Sequence, residues 1–517
     1  MRAGRGFALS LGGGAIAVWL SFLLRIYFQG TYLPELAAQT LFSLVPGAVE
    51  SQAVENLGPL AKESAFVGAS VLNVFLFALI PYVVRLLRLK LEGRYVRVAA
   101  FTLVPYVLMF VLGLLFLLVA QVASQPPTVG ALALSLLPPS IAFGAATGYP
   151  EPMLQHGPVC IPEPGRRQPF SRKRRLFIKS TIGTATGAII LYYGVGLLLS
   201  KQQPQGVAAE AGSILSANLT PNDKFYRVDV NVLAPTVDAG NWGLNLHGLV
   251  KTPMNITYAQ LLSLPSVEEY ATLECVSNKI GRDLMSTARW KGVRLRDILQ
   301  AAGVSADAEY VVFRCYDGYD VGVPLDRSLI DGAILAYEMN GEKLPIEHGY
   351  PLRAIVPGLY GMMNAKWITE IELVNKVYVG FWQRRGWTNN ALYQTGSTIL
   401  SPGDSQLRDK FPIPSAVTDV SGNPIPVVGV AFAGDQGVSK VEVSTDGGGS
   451  WETASLYDPL SDYTWVFWRL DWNPPSTGTY KLTVRATDKT GQTQTATMRV
   501  PFPDGATGYH VVDIRVD

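Results

Sequence analysis

Cysteine, histidine and charge are all scarce in this chain of 517 residues. Its three cysteines, Cys160, Cys275 and Cys315, form no CxxC pair. That argues against zinc ribbons, clustered iron–sulfur sites, CxxCH haem attachment and a disulfide framework. The four histidines, His156, His247, His348 and His510, all lie outside the long apolar runs, so no haem held between membrane helices is expected. Charged residues make up 16 % and the formal net charge is +2. So weak a field argues against a nucleic-acid partner. Hydrophobic residues reach 48 %, an average that conceals two unlike halves meeting near residue 200.

Before that point, four runs reach the roughly 20 apolar residues that a bilayer-spanning helix needs. They are Phe7–Phe28, Ala65–Leu87, Val96–Val122 and Ile178–Leu199. A fifth, Thr128–Gly148, is interrupted by Pro138 and Pro139, breaks that neighbouring helices can cover. Leu33–Val49 is shorter, flanked by Glu35, Glu50 and Glu55, and reads as interfacial or re-entrant. Basic clusters at Arg2 and Arg5, at 85–97 and at 166–175 all face the cytoplasm if there are five spans. The N-terminus is then inside, and the C-terminal half lies on the extracytoplasmic side of the cell membrane. The last cluster, Ser171-Arg172-Lys173-Arg174-Arg175-Leu176-Phe177-Ile178-Lys179, resembles a twin-arginine export signal, with Arg174 and Arg175 as the pair. A plain orienting flank is the alternative.

The expected organisation is multidomain: a helical transmembrane anchor over 1–200, an α+β domain over 208–408 and a β-sandwich over 409–517, with 202–206 as linker. In the middle domain the patterning predicts strands at Tyr310–Arg314, Ile355–Pro357 and Ile368–Leu373, and helices at Tyr258–Leu262 and Leu295–Ala302. Beyond it, strands at Val427–Phe432, Val438–Ser444, Trp465–Leu470 and Tyr480–Ala486 alternate with turns at Asp446-Gly447-Gly448 and Asp488–Gly491. This is the spacing of an immunoglobulin-like sandwich.

One ordered series of motifs runs through the soluble half. It opens with Trp242–Val250 and Thr252-Pro253, then Thr272-Leu273-Glu274-Cys275-Val276-Ser277-Asn278, then Ser286–Leu295. It continues through Ala336–Gly341, His348–Arg353, Val356-Pro357-Gly358, Lys366-Trp367 and Trp382-Gln383-Arg384-Arg385, and ends with Val441–Trp451. In that order the series resembles the sulfite oxidase family of molybdopterin-dependent oxidoreductases, from about Asn218 to Thr490. The resemblance implies a molybdenum–molybdopterin cofactor with Cys275 as the metal's protein ligand, and a thiolate suits such a soft centre. Lys279 and Arg282, close in sequence, would favour the thiolate. Without the resemblance, Cys275 reads as a buried structural thiol. A Cys275–Cys315 disulfide is conceivable outside the cell, although Cys315 ends an apolar strand and reads as core. His348, Arg353 and Lys366 match the family's contacts to the pterin and its phosphate, which need donors and positive charge. Asn278, Asp317 and Tyr319 are further candidate pterin neighbours, with Asn364 and Ala365 offering backbone groups. His247, in a strand, reads as structural.

Departures bear on the substrate. Phe225-Tyr226-Arg227-Val228-Asp229 keeps the family's arginine and loses the following Asn and His. Trp387 stands where the family has a tyrosine, Ile280 where its cysteine loop has a second arginine, and the second domain's arginine is replaced near Tyr463. Fewer cationic donors disfavour sulfite, a small dianion. The resemblance then implies two-electron oxygen-atom transfer on another small oxo-bearing or anionic substrate, with Arg227 holding it, Trp387 lining its pocket, and a separate redox partner returning electrons. Reduction of a sulfoxide or other oxide at the same centre is the enzymatic alternative. A membrane-anchored binding module without cofactor is the non-enzymatic one. The resemblance also allows a homodimer through the sandwich.

Overall fold

The computed structural model describes residues 2–28, 30–45, 49, 60–87, 93–119, 129–148, 218–231, 233–411, 419–421 and 424–517. The expected span at Ile178–Leu199, the twin-arginine-like segment, the 202–206 linker, His156 and Cys160 lie outside these residues. By contact the chain divides into two compact units.

The N-terminal unit is helical. Helices Arg2–Phe28, Leu60–Leu86, Arg94–Val119 and Val129–Gly148 are long and apolar enough to cross a membrane. The last stays continuous through Pro138 and Pro139. A Cβ on its Gly144 or Gly148 would stand 2.8 Å from backbone atoms of Val98. Small residues thus let two helix backbones meet, a form of packing suited to lipid, where burial against a neighbour gains little. The helix Leu33–Leu44 has 12 residues, about 18 Å of rise, too short for a hydrocarbon core of about 30 Å. Its Glu35 takes a two-pronged ion pair from Arg25, at 2.6 and 3.2 Å.

The C-terminal unit begins with ten strands: β1 (Gly243–Gly248), β2 (Met254–Thr257), β3 (Val267–Glu274), β4 (Met285–Arg294), β5 (Tyr310–Cys315), β6 (Asp320–Pro324), β7 (Ile334–Met339), β8 (Glu342–Lys343), β9 (Arg353–Ile355) and β10 (Ile368–Val374). They make two sheets, ordered β2-β1-β10-β5-β6 and β3-β4-β7-β8, with β9 added on β7. In β1 and β10, Leu244, Leu246, Ile368, Ile371 and Leu373 are buried, as strands with one face on a core require. The helix Leu295–Ala302 buries Leu295, Ile298, Leu299 and Ala302, the stripe of a 3.6-residue period. It stops at Gly303, whose φ of 68° suits a residue without Cβ. The strand expected at Ile355–Pro357 lies instead at Arg353–Ile355, because β9 pairs with β7 from Ala336↔Arg353 to Ile334↔Ile355. Beyond it the chain turns at Gly358, φ 86°.

Nine further strands follow: β11 (Gly396–Ser401), β12 (Asp419–Val420), β13 (Ile425–Phe432), β14 (Val438–Ser444), β15 (Glu452–Thr453), β16 (Ser455–Leu456), β17 (Val466–Trp472), β18 (Gly478–Asp488) and β19 (His510–Val516). Sheets β11-β13-β17-β16 and β12-β19-β18-β14-β15 share one core, with Val427 and Trp468 from the first meeting Val441, Leu482 and Ile514 from the second. The strand β19 alternates buried and exposed at every residue, the period of a one-sided strand. β11 precedes the sequence boundary at 408/409. It belongs with the second domain because it pairs with β13, from Gly396↔Phe432 to Ser401↔Val428.

Strand β3 is held from that second domain. Tyr463 accepts from the Thr272 N–H at 2.9 Å, the Trp465 N–H donates to Thr272 Oγ1 at 2.9 Å, and Ser461 Oγ donates to the Tyr270 carbonyl at 2.6 Å. Arg327 adds an ion pair to Asp435 at 2.8 Å. These bonds matter for the site because β3 ends at Glu274, beside Cys275.

Candidate functional site

Cys275 opens the loop between β3 and β4. Its N–H donates to the Leu284 carbonyl at 2.9 Å, so the loop closes as a compact turn. Its Sγ lies 3.0 Å from Ser277 Oγ. Asn278 pins the loop from within: Nδ2 donates to Glu274 Oε1 at 2.9 Å, and Oδ1 accepts from the Leu284 N–H at 3.1 Å. Neither Cys275 nor Cys315 forms a disulfide, and Cys315 is fully buried core at the end of β5.

Tyrosines gather at this end of β3. Charge on Cys275 bears on the phenols of Tyr226, Tyr319 and Tyr360 and, with burial as the larger cause, holds each well above the ordinary value of 10.0. Tyr393 accepts from the Glu274 N–H at 2.9 Å. Glu274 itself is raised to about 7 by burial, against the hydrogen bond from Asn278 that lowers it.

Arg353, at the start of β9, is the basic residue of this group. It is 4 % exposed. Nη1 donates to the His348 carbonyl at 3.1 Å, Nη2 lies 3.5 Å from the Asn364 carbonyl, and the guanidinium sits 4.7 Å over the Trp290 ring. Nε is buried without a hydrogen-bond partner. Burial pulls the pKa from 12.5 to about 10, and the Tyr226 and Tyr393 phenols offset this only in part. A buried cation without a carboxylate is a costly arrangement unless an anion completes it.

A second group lies beside the first. Asp229 receives both Arg227 Nε and Lys366 Nζ. Lys366 also donates to the Glu347 carbonyl at 3.1 Å and stands 4.5 Å over Trp367. His348 is buried, its Nε2 2.9 Å from the Asn222 carbonyl. Burial depresses its pKa to about 4, helped by Arg353. The ring is therefore neutral near pH 7, with Nε2–H as donor. Gly349, φ 113°, lets the chain pass between the Cβ atoms of Lys366 and Arg353, 3.0 and 3.2 Å from where its own Cβ would be.

The sequence-derived residues thus fall into distinct places. Cys275 and Arg353 both act electrostatically on the Tyr226 phenol. Arg227, His348 and Lys366 join the second group, so Arg227 bonds to Asp229 and is found with the pterin-phosphate candidates. Asn364 spends its side chain on the loop between β9 and β10: Oδ1 accepts from the Val356 N–H at 2.7 Å, and Nδ2 donates to the Leu359 and Tyr360 carbonyls at 3.1 and 3.2 Å. Ala365 accepts from the Ala354 N–H through its carbonyl at 2.8 Å. Asp317 accepts from Asn231 Nδ2 at 2.8 Å and from the Tyr319 N–H at 3.1 Å. Tyr319 donates to the Met362 carbonyl at 2.5 Å. Trp387 is buried edge-to-face on Phe502 of the second domain, centroids 5.1 Å apart. Tyr463 packs its ring on Gly332. His247 is 2.9 Å from Glu370 Oε1, tied into the sheet. Sequence reasoning missed Tyr226, Tyr360, Tyr393 and the acceptor role of Asp229. The segment 226–229 has no regular structure, so no periodicity told which neighbour faces Cys275.

Among the described residues no three His, Cys, Asp or Glu side chains group to hold a metal by themselves. A metal here needs ligands from a bound group as well. The residues present fit such a group: a buried thiol, a buried guanidinium with an orphaned Nε, a cationic patch around Asp229, and side-chain-free Gly349 and Gly361 between them.

Comparison with known proteins points the same way. The model of the oxidoreductase molybdopterin binding domain matches residues 231–382, and that of the Mo-co oxidoreductase dimerisation domain matches residues 397–515. The mitochondrial sulfite oxidase of Mus musculus is 29 % identical over 321 residues, which cover 54 % of this chain and 58 % of that protein. The match thus spans little more than half of that relative's length. The sulfite oxidase of Gallus gallus is 29 % identical over 53 % of this chain and 68 % of its own. The uncharacterized oxidoreductase YuiH of Bacillus subtilis is 37 % identical over 150 residues, 29 % of this chain and 74 % of that protein. Among solved structures, the sulfane dehydrogenase SoxCD from Paracoccus pantotrophus is 21 % identical with a TM-score of 0.49, covering 61 % of this chain and 90 % of that one.

Proposed function

Because this chain belongs to the sulfite oxidase family of molybdopterin-dependent oxidoreductases, we propose that it is a membrane-anchored enzyme of two-electron oxygen-atom transfer, acting outside the cytoplasm on a small oxo-bearing or anionic substrate. When bound, the molybdenum–pterin group supplies a centre that exchanges two electrons and an oxygen atom with substrate. The observation that carries the reading is the buried Arg353, whose orphaned Nε lies in the same group as the Cys275 thiol.

In this reading Cys275 gives the metal its protein sulfur. Arg353, neutral His348, Lys366 and Arg227 hold the pterin and its phosphate, and Asp229 spaces the last two cations. Asn278, Asp317 and Tyr319 are pterin neighbours in this reading, with backbone groups of Asn364 and Ala365, and the side chains of Asn278, Asn364, Asp317 and Tyr319 also brace the surrounding loops. Trp387 closes the seam with the second domain. That domain is immunoglobulin-like and joins two copies of the chain, and a separate redox partner takes or returns the electrons. The four long apolar helices support a membrane anchor. Five spans, and export by the twin-arginine route, would carry a domain already folded around its cofactor to the outer side.

Sulfite, the substrate in several relatives' names, is a poor fit here. Trp387, Ile280 and Tyr463 stand where cationic or hydroxyl donors are expected, and each lost charged hydrogen bond is worth roughly 1.5–3 kcal/mol. The test is turnover by the purified full chain, with sulfite and an electron acceptor in one arm and a sulfoxide and an electron donor in the other. Weak or absent sulfite oxidation is expected. Sulfite turnover at the rate of a dedicated sulfite oxidase would overturn the substrate assignment, and turnover in the sulfoxide arm alone would reverse its direction.

A further inference from the structure

Four phenols crowd the end of β3, and three are occupied. Tyr319 donates to the Met362 carbonyl at 2.5 Å. Tyr360 accepts from the Gln394 N–H at 3.3 Å. Tyr393 accepts from the Glu274 N–H at 2.9 Å and reaches the Thr272 carbonyl at 3.5 Å. The Tyr226 hydroxyl makes no hydrogen bond among the described residues, and the residue is partly exposed. The charges of Cys275, Arg353 and Glu274 act on it.

The chain holds this phenol in place. The Tyr226 N–H donates to Ser286 Oγ at 3.0 Å, and Lys410 Nζ donates to the same oxygen at 2.7 Å. Lys410 also stands 5.7 Å over the Tyr226 ring, and Phe225 stacks beside it at 5.5 Å. Room for the hydroxyl comes from Gly361. A Cβ there would overlap Tyr226 Oη and come within 3.3 Å of the Glu274 carbonyl. The hydroxyl therefore lies by the Glu274 carbonyl, on the backbone that leads into Cys275, with no hydrogen bond from the described residues.

We propose that Tyr226 is the substrate-contacting phenol of this enzyme, its hydroxyl donating a hydrogen bond to an oxygen of the oxo-bearing substrate beside Cys275. The inference rests on the oxygen-atom-transfer reading above and adds to it the residue that selects for an oxygen acceptor. Arg227, its neighbour, bonds to Asp229 in the second group, and Trp387 has no hydroxyl to offer. The donor is then a phenol with two cations near it, Arg353 and, over its ring, Lys410. The hydroxyl adds one donor for a substrate oxygen, that of an oxyanion as well as that of a neutral oxide.

The test uses the full chain isolated from a molybdenum-replete host, with sulfate as the probe oxyanion and equilibrium dialysis as the readout, alongside molybdenum content. Tyr226→Phe removes only the hydroxyl. It should leave molybdenum content unchanged and weaken sulfate binding about tenfold, the worth of one hydrogen bond to a charged partner. Gly361→Ala, which pushes the hydroxyl aside, should do the same, and the double variant should be no weaker than either single one. Loaded Tyr226→Phe protein that binds sulfate as wild type does would overturn the proposal alone, as would loaded wild type that binds no sulfate. A wild-type chain without molybdenum would overturn the functional reading and this proposal together.

Discussion

Arg353→Met separates a residue that holds the fold together from one that waits for an anion. The guanidinium is 4 % exposed, and burial draws its pKa from 12.5 to about 10. Keeping it charged in the chain without cofactor therefore costs about 3 kcal/mol, at about 1.4 kcal/mol for each tenfold change in the proton equilibrium. Against this stand one good bond, to the His348 carbonyl at 3.1 Å, worth roughly 1.5–3 kcal/mol as a charged hydrogen bond, and the contact with the Trp290 face. Methionine fills a similar volume and needs no partner. In the cofactor-free protein the two sides nearly cancel, so the melting temperature should move little. In the loaded protein the substitution also removes a charged contact to the bound group, lowering its affinity between about 10- and 150-fold for a loss of roughly 1.5–3 kcal/mol. The assay is thermal unfolding of both forms in detergent, with molybdenum retained after dilution as the second readout. Equal destabilisation of the two forms, with molybdenum retained, would refute the reasoning and make Arg353 a structural residue.

Three further outcomes follow from named contacts. His510 accepts from the Ile399 N–H through Nδ1 at 3.1 Å and is depressed to about 4 by burial. The unfolded chain, ordinary at 6.5, binds a proton that the native state refuses, so stability should fall by up to about 3 kcal/mol as pH drops from about 6.5 to 4. His510→Gln should flatten that slope in urea titrations, leaving the part due to His348, and an unchanged slope would show the assignment wrong. Arg327→Ala breaks the ion pair with Asp435 and the bond to the Pro357 carbonyl at 3.0 Å. It should destabilise the unit by about 3 kcal/mol, because a partly buried carboxylate is left without its cation; a loss under about 0.5 kcal/mol would make the pair ornamental, as exposed pairs often are. Replacing Arg174 and Arg175 by lysine keeps the charge and should keep the helix orientation, yet leave the catalytic domain protected from external protease. Normal surface exposure of the domain would rule out the twin-arginine route.

What was legible in the sequence tracks how local its cause is. Leu295–Ala302 could be read because its apolar period and the glycine after it are local signals, and the structure has that helix with the same ends. The strand near residue 355 was displaced by two residues, because its ends are set by pairing with β7 rather than by its own composition. β11 was missed as part of the second domain for the same reason, since its partner β13 lies some 30 residues on. At the site, Cys275 and Arg353 were legible as motif members. That the Tyr226 hydroxyl comes to lie by Gly361 and the Glu274 carbonyl while Arg227 bonds to Asp229 was not, because adjacent residues in an irregular segment point apart in ways only the folded backbone decides. The side chains of Asn278, Asn364 and Asp317 also bond within their own loops, a use that residue type and spacing alone do not reveal.

The measurement that bears most directly on the account is the metal and pterin content of the full-length chain, purified from a molybdenum-replete host, against that of Cys275→Ser. An alcohol is a harder and far less acidic ligand than a thiol. About one molybdenum and one pterin per wild-type chain are expected, with loss of the molybdenum in the serine variant while its fold stays intact by circular dichroism. Wild-type protein free of molybdenum, or a serine variant that retains it in full, would contradict it.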